Sequence, residues 1–311
     1  MQDITSRSAE DRGVRQDLAP PGPPPQGGSP SSQGGAPGSG SARPAASRGD
    51  SPFIDWVERW RSLVAERAAA AKGHTDPDYW DRRAPTFARS TQARSDAFLD
   101  VVTPYLSPRR TLIDVGAGAG RHAVPLAERL EWVTAVEPSE GMRAQIPHRD
   151  NMTIVASRWE DAAVAPADLL ICSHVLYGVE EPVPFIEKME ASARERIFIM
   201  LRESPMAHLG AIVRERMLGD EPRLPRFSDL FMLLMQMGIA PDVRFTSYPN
   251  PQRYAGIEEA LADCQAMIGD RWDEENGRAI IESLLEVDGD ELLFQGDVTL
   301  TGIAHWQPQS H

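Results

Sequence analysis

Ile113-Asp114-Val115-Gly116-Ala117-Gly118-Ala119-Gly120-Arg121 leads from a short β-branched run straight into a helical pattern. Glycines at such a turn let the backbone bend sharply and approach a ligand closely, and the helix start offers free N–H groups. On either side the pattern repeats. Thr111–Val115, Trp132–Val136, Met152–Val155, Asp168–Cys172 and Arg196–Leu201 are short and apolar, as expected of strands buried on both faces. Helical spacing appears between most of them, at His122–Leu130, Ser139–Gln145 and Pro182–Ala193. Strands alternating with helices predict an α/β fold with a doubly wound, mostly parallel sheet, which binds ligands beyond the carboxyl ends of its strands. Further on, helices are expected around Met206–Met217, Phe227–Met237, Ile257–Ile268 and Arg278–Val287, with strands at Val243–Tyr248 and Val298–Trp306. Ahead of the sheet, Ser51 and Pro52 suit a helix start and Gly73 a stop, with Trp56, Val57, Trp60, Leu63 and Val64 at helical spacing. A second helical stretch is expected from about Asp76 to Leu106.

The spacing of the glycines selects the ligand. A dinucleotide loop requires G-x-G-x-x-G, and counting from Gly116 puts Arg121 where the third glycine belongs. The spacing here is G-x-G-x-G, with Asp114 just ahead of it. An acid at this place repels a pyrophosphate and suits a cofactor carrying an amino group or a sulfonium. Glu137 ends the second strand, 17 residues after Gly120 with one helix between. A carboxylate there can accept both hydroxyls of an adenosine ribose.

Asp114-Val115-Gly116-Ala117-Gly118-Ala119-Gly120 followed by Val136-Glu137-Pro138-Ser139-Glu140-Gly141-Met142 resembles the class I S-adenosylmethionine-dependent methyltransferases. The resemblance runs from about Tyr79 to Leu201, with a weaker match at the final strand pair. It implies a seven-stranded Rossmann-like sheet with an N-terminal helical cap, C-terminal helical insertions and S-adenosyl-L-methionine as cofactor. Asp114, Gly116, Ala117, Gly118 and Gly120 would line the methionine and ribose end. Glu137 would bind the ribose hydroxyls, with Pro138, Ser139 and Met142 against the adenosine. Trp159-Glu160 resembles the segment covering the adenine; Trp159 either stacks on it or packs a helix end. The loop from Ser173 to Gly178 would face the transferable methyl group. Trp80 and Arg83 belong to a stretch similar to the helix that roofs the cofactor. The fourth strand ends Cys172-Ser173-His174 rather than Asp/Asn-Pro-Pro-Tyr/Phe, which weakens a reading as a DNA adenine or protein glutamine methylating enzyme.

Methyl transfer at a sulfonium is an in-line displacement, so the protein's part is positioning and desolvation. A base matters only for a protonated nucleophile. His174, with an ordinary pKa near neutrality, is the candidate, and Tyr177 can hydrogen-bond cofactor or substrate. The alternative for His174 is to fix its own loop. Arg202 either binds an acidic substrate group or forms a surface ion pair, the plainer expectation.

Residues 1–50 hold 9 Gly and 8 Pro and almost nothing large and apolar, so they are expected to form a disordered tail. An N-terminal cap over 51–110, a cofactor-binding core over 111–204 and substrate-chamber insertions with the final strand pair over 205–311 complete the expected organisation. The five acids and five arginines of the tail cancel, leaving the net charge of −14 on the rest. Such a charge argues against a nucleic-acid partner and against an anionic membrane. No apolar run approaches the length of a membrane span, and no hydrophobic signal core opens the chain, so a cytoplasmic location is expected. Two cysteines, Cys172 and Cys264, support neither a disulfide framework nor a metal site. The expected function is methylation of a small-molecule acceptor. A non-catalytic S-adenosylmethionine-binding sensor or scaffold is the alternative, and a nicotinamide oxidoreductase fails on Arg121. The oligomeric state is not indicated.

Overall fold

The computed structural model describes residues 54–70, 80, 81, 84, 88, 97–204, 208–219, 223–249, 251–296 and 298–309. The expected tail, the helix start at Ser51 and Pro52, the stop at Gly73 and the side chain of Arg83 lie outside these residues.

Seven strands form one sheet: β1 (Thr111–Val115), β2 (Trp132–Val136), β3 (Met152–Val155), β4 (Ala167–Ser173), β5 (Ala193–Arg202), β6 (Asp242–Pro249) and β10 (Val298–Trp306). Their order is β3-β2-β1-β4-β5-β10-β6. Every neighbouring pair is parallel except those of β10, which runs antiparallel between β5 and β6. Since β2 lies on one side of β1 and β4 on the other, the winding reverses at β1. A crevice therefore opens at the carboxyl ends of β1 and β4.

Alternate residues of the central strands feed two cores. Ile113, Leu170, Cys172, Ile197 and Ile199 point to one face, with Trp60 and Phe227. Leu112, Leu169, Ile171 and Phe198 point to the other, with Phe98 and Leu126. The first face is covered by α1 (Trp56–Ala70), by Pro182–Ser192 (helix α5) and by Phe227–Gln236 (α7). On the second lie α2 (Ala97–Val102) and α3 (Ala123–Ala127). The short α4 (Glu140–Arg143) follows β2. Helix α1 begins at Trp56 because the Asp55 carboxylate accepts the N–H groups of Val57 and Glu58 at 3.0 and 3.3 Å. Asp55 thus fills the capping role expected of Ser51.

A third core joins α6 (Leu209–Leu218), α8 (Ile257–Ile268) and Ile281 of α9 (Glu274–Glu282) around Leu209, Val213, Leu261 and Cys264. Helix α9 starts four residues before the expected Arg278, because the Asp273 carboxylate accepts the Asn276 N–H at 2.7 Å. The stretch expected to continue it instead forms β8 (Glu286–Asp288), paired with β9 (Glu291–Phe294) across a two-residue turn. Gln252–Tyr254 (β7) completes this small sheet, in the order β7-β9-β8. The turn residues are Gly289 and Asp290, and a glycine in first place suits the φ of 67° that it adopts. No helix among the described residues is long and apolar enough to cross a membrane.

Candidate functional site

The glycine loop bends back on β2. The N–H groups of Gly116 and Ala117 both donate to the Val136 carbonyl, at 2.8 and 3.1 Å, and Gly120 closes the turn on the Ala117 carbonyl at 2.9 Å. Gly116 has φ 70°, and a Cβ there would lie 2.4 Å from a Val175 methyl. The loop after β4 is therefore packed directly on the glycine loop.

Glu137 ties the crevice together. One carboxylate oxygen accepts the Gly118 N–H at 2.8 Å and the other the Ser139 N–H at 2.9 Å. The side chain is 7% exposed. Burial raises its pKa, while these two N–H groups oppose the rise. A carboxylate held by both oxygens is fixed in direction and keeps further lone pairs for ligand hydroxyls. Glu137→Ala is expected to weaken S-adenosylhomocysteine binding by about 1.5–3 kcal/mol, the range for hydrogen bonds to a charged group. An unchanged dissociation constant in calorimetry would place the ribose elsewhere.

Asp114 is 1% exposed, and its Oδ2 has no hydrogen-bond partner among the described residues. Its pKa is pushed up to about 6, first by burial; His122 pulls it down and the charge of Glu137 adds to the rise. Between the ordinary carboxyl value and about 6, the folded chain holds a proton that the unfolded chain has lost. This group thus favours folding at acid pH, and its contribution fades as pH rises through about 6. A ligand ammonium or sulfonium needs the charged form instead. Affinity for S-adenosylhomocysteine, whose amino group is cationic, should rise up to about tenfold per pH unit below about 6 and then level off. Asp114→Asn should flatten that profile in a pH series of titrations.

A second segment reaches the site. The Asp81 carboxylate accepts the Ser139 hydroxyl and, at 2.8 Å, the Gly141 N–H. A Cβ on Gly141 would stand 2.7 Å from the Asp81 Cα, so the two backbones touch. Ala84 and Ala88 pack with Met142 and Ala119. Ser139 also caps α4 by accepting the Met142 N–H at 3.1 Å. Pro138 contributes its carbonyl to the Arg143 guanidinium. Asp81 carried no signal of its own in the sequence, because its partners lie some 60 residues away. Trp80 is 48% exposed.

Trp159 is where its packing role puts it. It is 3% exposed in the main core, its indole N–H donates to the Phe185 carbonyl at 3.2 Å, and the Lys188 ammonium lies 4.9 Å above its ring. An indole committed in this way is not open for adenine stacking. Glu160, beside it, pairs with Arg158 at 3.0 Å.

At the ends of β4 and β5, Ser173 closes its strand and His174 takes φ 60°, a conformation uncommon for a residue with a side chain. It is held by its N–H, which donates to the Met200 carbonyl at 2.9 Å, and by a 2.8 Å hydrogen bond between Nδ1 and the Tyr177 hydroxyl. That hydroxyl also accepts the Arg202 backbone N–H at 2.9 Å. The Arg202 guanidinium lies 4.8 Å from the centre of the Tyr177 ring. The ion pair expected of Arg202 is not formed: among the described residues no carboxylate stands within 4 Å of it. Nor does any group of three or more His, Cys, Asp or Glu, among those residues, stand ready to hold a metal ion.

Fold and site together define a Rossmann-like protein whose acidic crevice, with Asp114 and Glu137 at its centre, suits a cationic nucleoside cofactor. Residues 113–196 match the model of the methyltransferase domain family. A 25% identical relative, a protein of Haemophilus influenzae without an assigned function, aligns over 213 residues, covering 64% of this chain and 78% of its own. The ribosomal RNA small subunit methyltransferase A of Methylibium petroleiphilum is 27% identical over 128 residues, 39% of this chain and 49% of its own. Among solved structures, a protein described as a methyltransferase from an antibiotic biosynthesis pathway of Anabaena variabilis superposes with a TM-score of 0.50 at 16% identity. That match covers 69% of this chain and 99% of the other, and shows the shared fold. By that match residues 113–196 are a methyltransferase domain, a kind of domain that uses S-adenosylmethionine as cofactor. The unpartnered Asp114 oxygen and the braced Glu137 carboxylate fit that cofactor.

Proposed function

We propose that the protein methylates a small-molecule acceptor by in-line displacement. The cofactor, when bound, supplies an electrophilic methyl group on a sulfonium. The observation that carries the reading is the Glu137 carboxylate, anchored by one oxygen to the glycine loop and by the other to the start of α4. It supports an orientation of the cofactor with the ribose over β2 and the sulfonium toward β4. In that orientation Asp114, Gly116, Ala117, Gly118 and Gly120 hold the methionine and ribose end, while Pro138, Ser139 and Met142 flank the adenosine. Glu160 is left as the acid near the adenine amino group.

His174 and Tyr177 face the reacting end. With Nδ1 engaged by Tyr177, a proton taken from an acceptor hydroxyl or amine is held at Nε2. Tyr177 then fixes the ring's direction. The segment around Trp80 excludes water from above, and the cap of α6, α8 and α9 supplies the walls of the acceptor chamber. A net charge of −14 supports a metabolite rather than a polyanionic nucleic acid as acceptor. Calorimetric titration with S-adenosylhomocysteine, with NADH run in parallel, tests the reading. Micromolar binding of the homocysteine compound alone, followed by tritium transfer from labelled cofactor to a metabolite, is expected. Binding without transfer to any metabolite would favour the sensor alternative.

A further inference from the structure

Arg202 is half-buried at the carboxyl end of β5, beside His174 and Tyr177. The chain carries 46 acidic against 32 basic residues, and many of its other arginines are paired: Arg59 with Asp229, Arg61 with Glu181, Arg110 with Glu195, Arg253 with Asp288 and Arg278 with Glu258. Among the described residues no carboxylate pairs with Arg202. The adjacent Glu203 turns away and accepts the Ser228 N–H at 2.8 Å. The guanidinium rests on the Tyr177 ring, a contact that steadies a cation without neutralising it. Withdrawing a cation from water is unfavourable unless an anion meets it, and a planar guanidinium meets an oxyanion through two parallel hydrogen bonds. The acids of the crevice are clustered at the other end, on β1 and β2, where the cationic cofactor is read. Charge is therefore divided along the carboxyl edge, negative toward the cofactor and positive toward the acceptor.

We propose that Arg202 anchors an anionic acceptor: the molecule methylated is a small organic acid whose carboxylate or phosphate pairs with this guanidinium, next to His174. The proposal rests on the methyltransferase reading above and names its substrate class.

The test uses the full chain, labelled S-adenosylmethionine and a library of small carboxylic and phosphoric acids, each run beside its neutral amide or ester. Acids are expected to be taken in preference to their neutral partners. In Arg202→Gln, KM for the accepted acid should rise about tenfold to a hundredfold, and the preference for acid over neutral partner should vanish. S-adenosylhomocysteine affinity should stay within about twofold. Arg202→Lys, which keeps the charge and loses the fork, should fall between. If Arg202 merely braces Tyr177, the substitution lowers turnover of acid and neutral partner alike, which overturns the proposal. Equal use of both partners by the unaltered protein overturns it too, as does a protein that binds S-adenosylhomocysteine yet neither binds nor methylates any acid. Failure to bind S-adenosylhomocysteine at all would instead remove the reading beneath it.

Discussion

A Gly118→Val protein is expected to fold and to lose measurable affinity for S-adenosylhomocysteine. Gly118 sits at φ 55°, where a side chain costs about 1–2 kcal/mol and a β-branched one is a genuine outlier. Its N–H is the group that holds one oxygen of Glu137. Opening the turn to seat a valine carries this amide off the carboxylate, so the loop and Glu137 lose register together. The change lies in a loop above the sheet, and the strands and the three cores remain. Far-ultraviolet circular dichroism should therefore match the parent, while calorimetry shows no heat of binding. Retained affinity would mean that the glycine loop is not the cofactor site.

Trp60→Ala should show the opposite pattern, a loss of stability before any loss of recognition. Trp60 is 0% exposed and shares the main core with Leu176, Tyr177 and Val179. Its indole N–H donates to the Val179 carbonyl at 2.8 Å. Truncating a buried tryptophan costs about 3–5 kcal/mol, against a typical total of about 5–15. Denaturant unfolding should record that loss. Trp60→Phe keeps most of the volume and forfeits chiefly the hydrogen bond, about 1 kcal/mol. Because the indole props the loop that carries His174 and Tyr177, turnover should fall further than cofactor affinity in the alanine protein. A loss below about 1 kcal/mol for alanine would mean that α1 is not part of the core.

Much of this arrangement is legible in the sequence wherever the signal is local. Thr111–Val115, Trp132–Val136, Met152–Val155 and Val298–Trp306 coincide with the expected strands, because each is a short run rich in apolar and β-branched residues bounded by turn residues. Asp114, the glycines and Glu137 are readable for a related reason: the ligand demands particular backbone and charge at fixed spacing. What escaped depends on distance along the chain. Asp81 meets α4 only through the fold. The burial of Trp159 is decided by Phe185 and Lys188 on α5. Arg202 has acidic neighbours in sequence, and only the structure shows that Glu203 faces another way. The β8–β9 hairpin has a local signal in Gly289-Asp290, but the helical pattern expected from Arg278 to Val287 runs directly into it.

The place of β10 carries a consequence for biosynthesis. This strand is the last of the sheet to be made, yet it lies inside it, between β5 and β6. Until Val298–Trp306 leave the ribosome, β5 presents an open edge and β6 has no partner at all. The earlier strands can assemble during translation, while the β5 edge waits for the final segment. An exposed apolar edge invites pairing with other chains. A nascent protein stalled before residue 298 is thus a species for chaperones to shield, and the enzyme becomes competent late, in a single closing step.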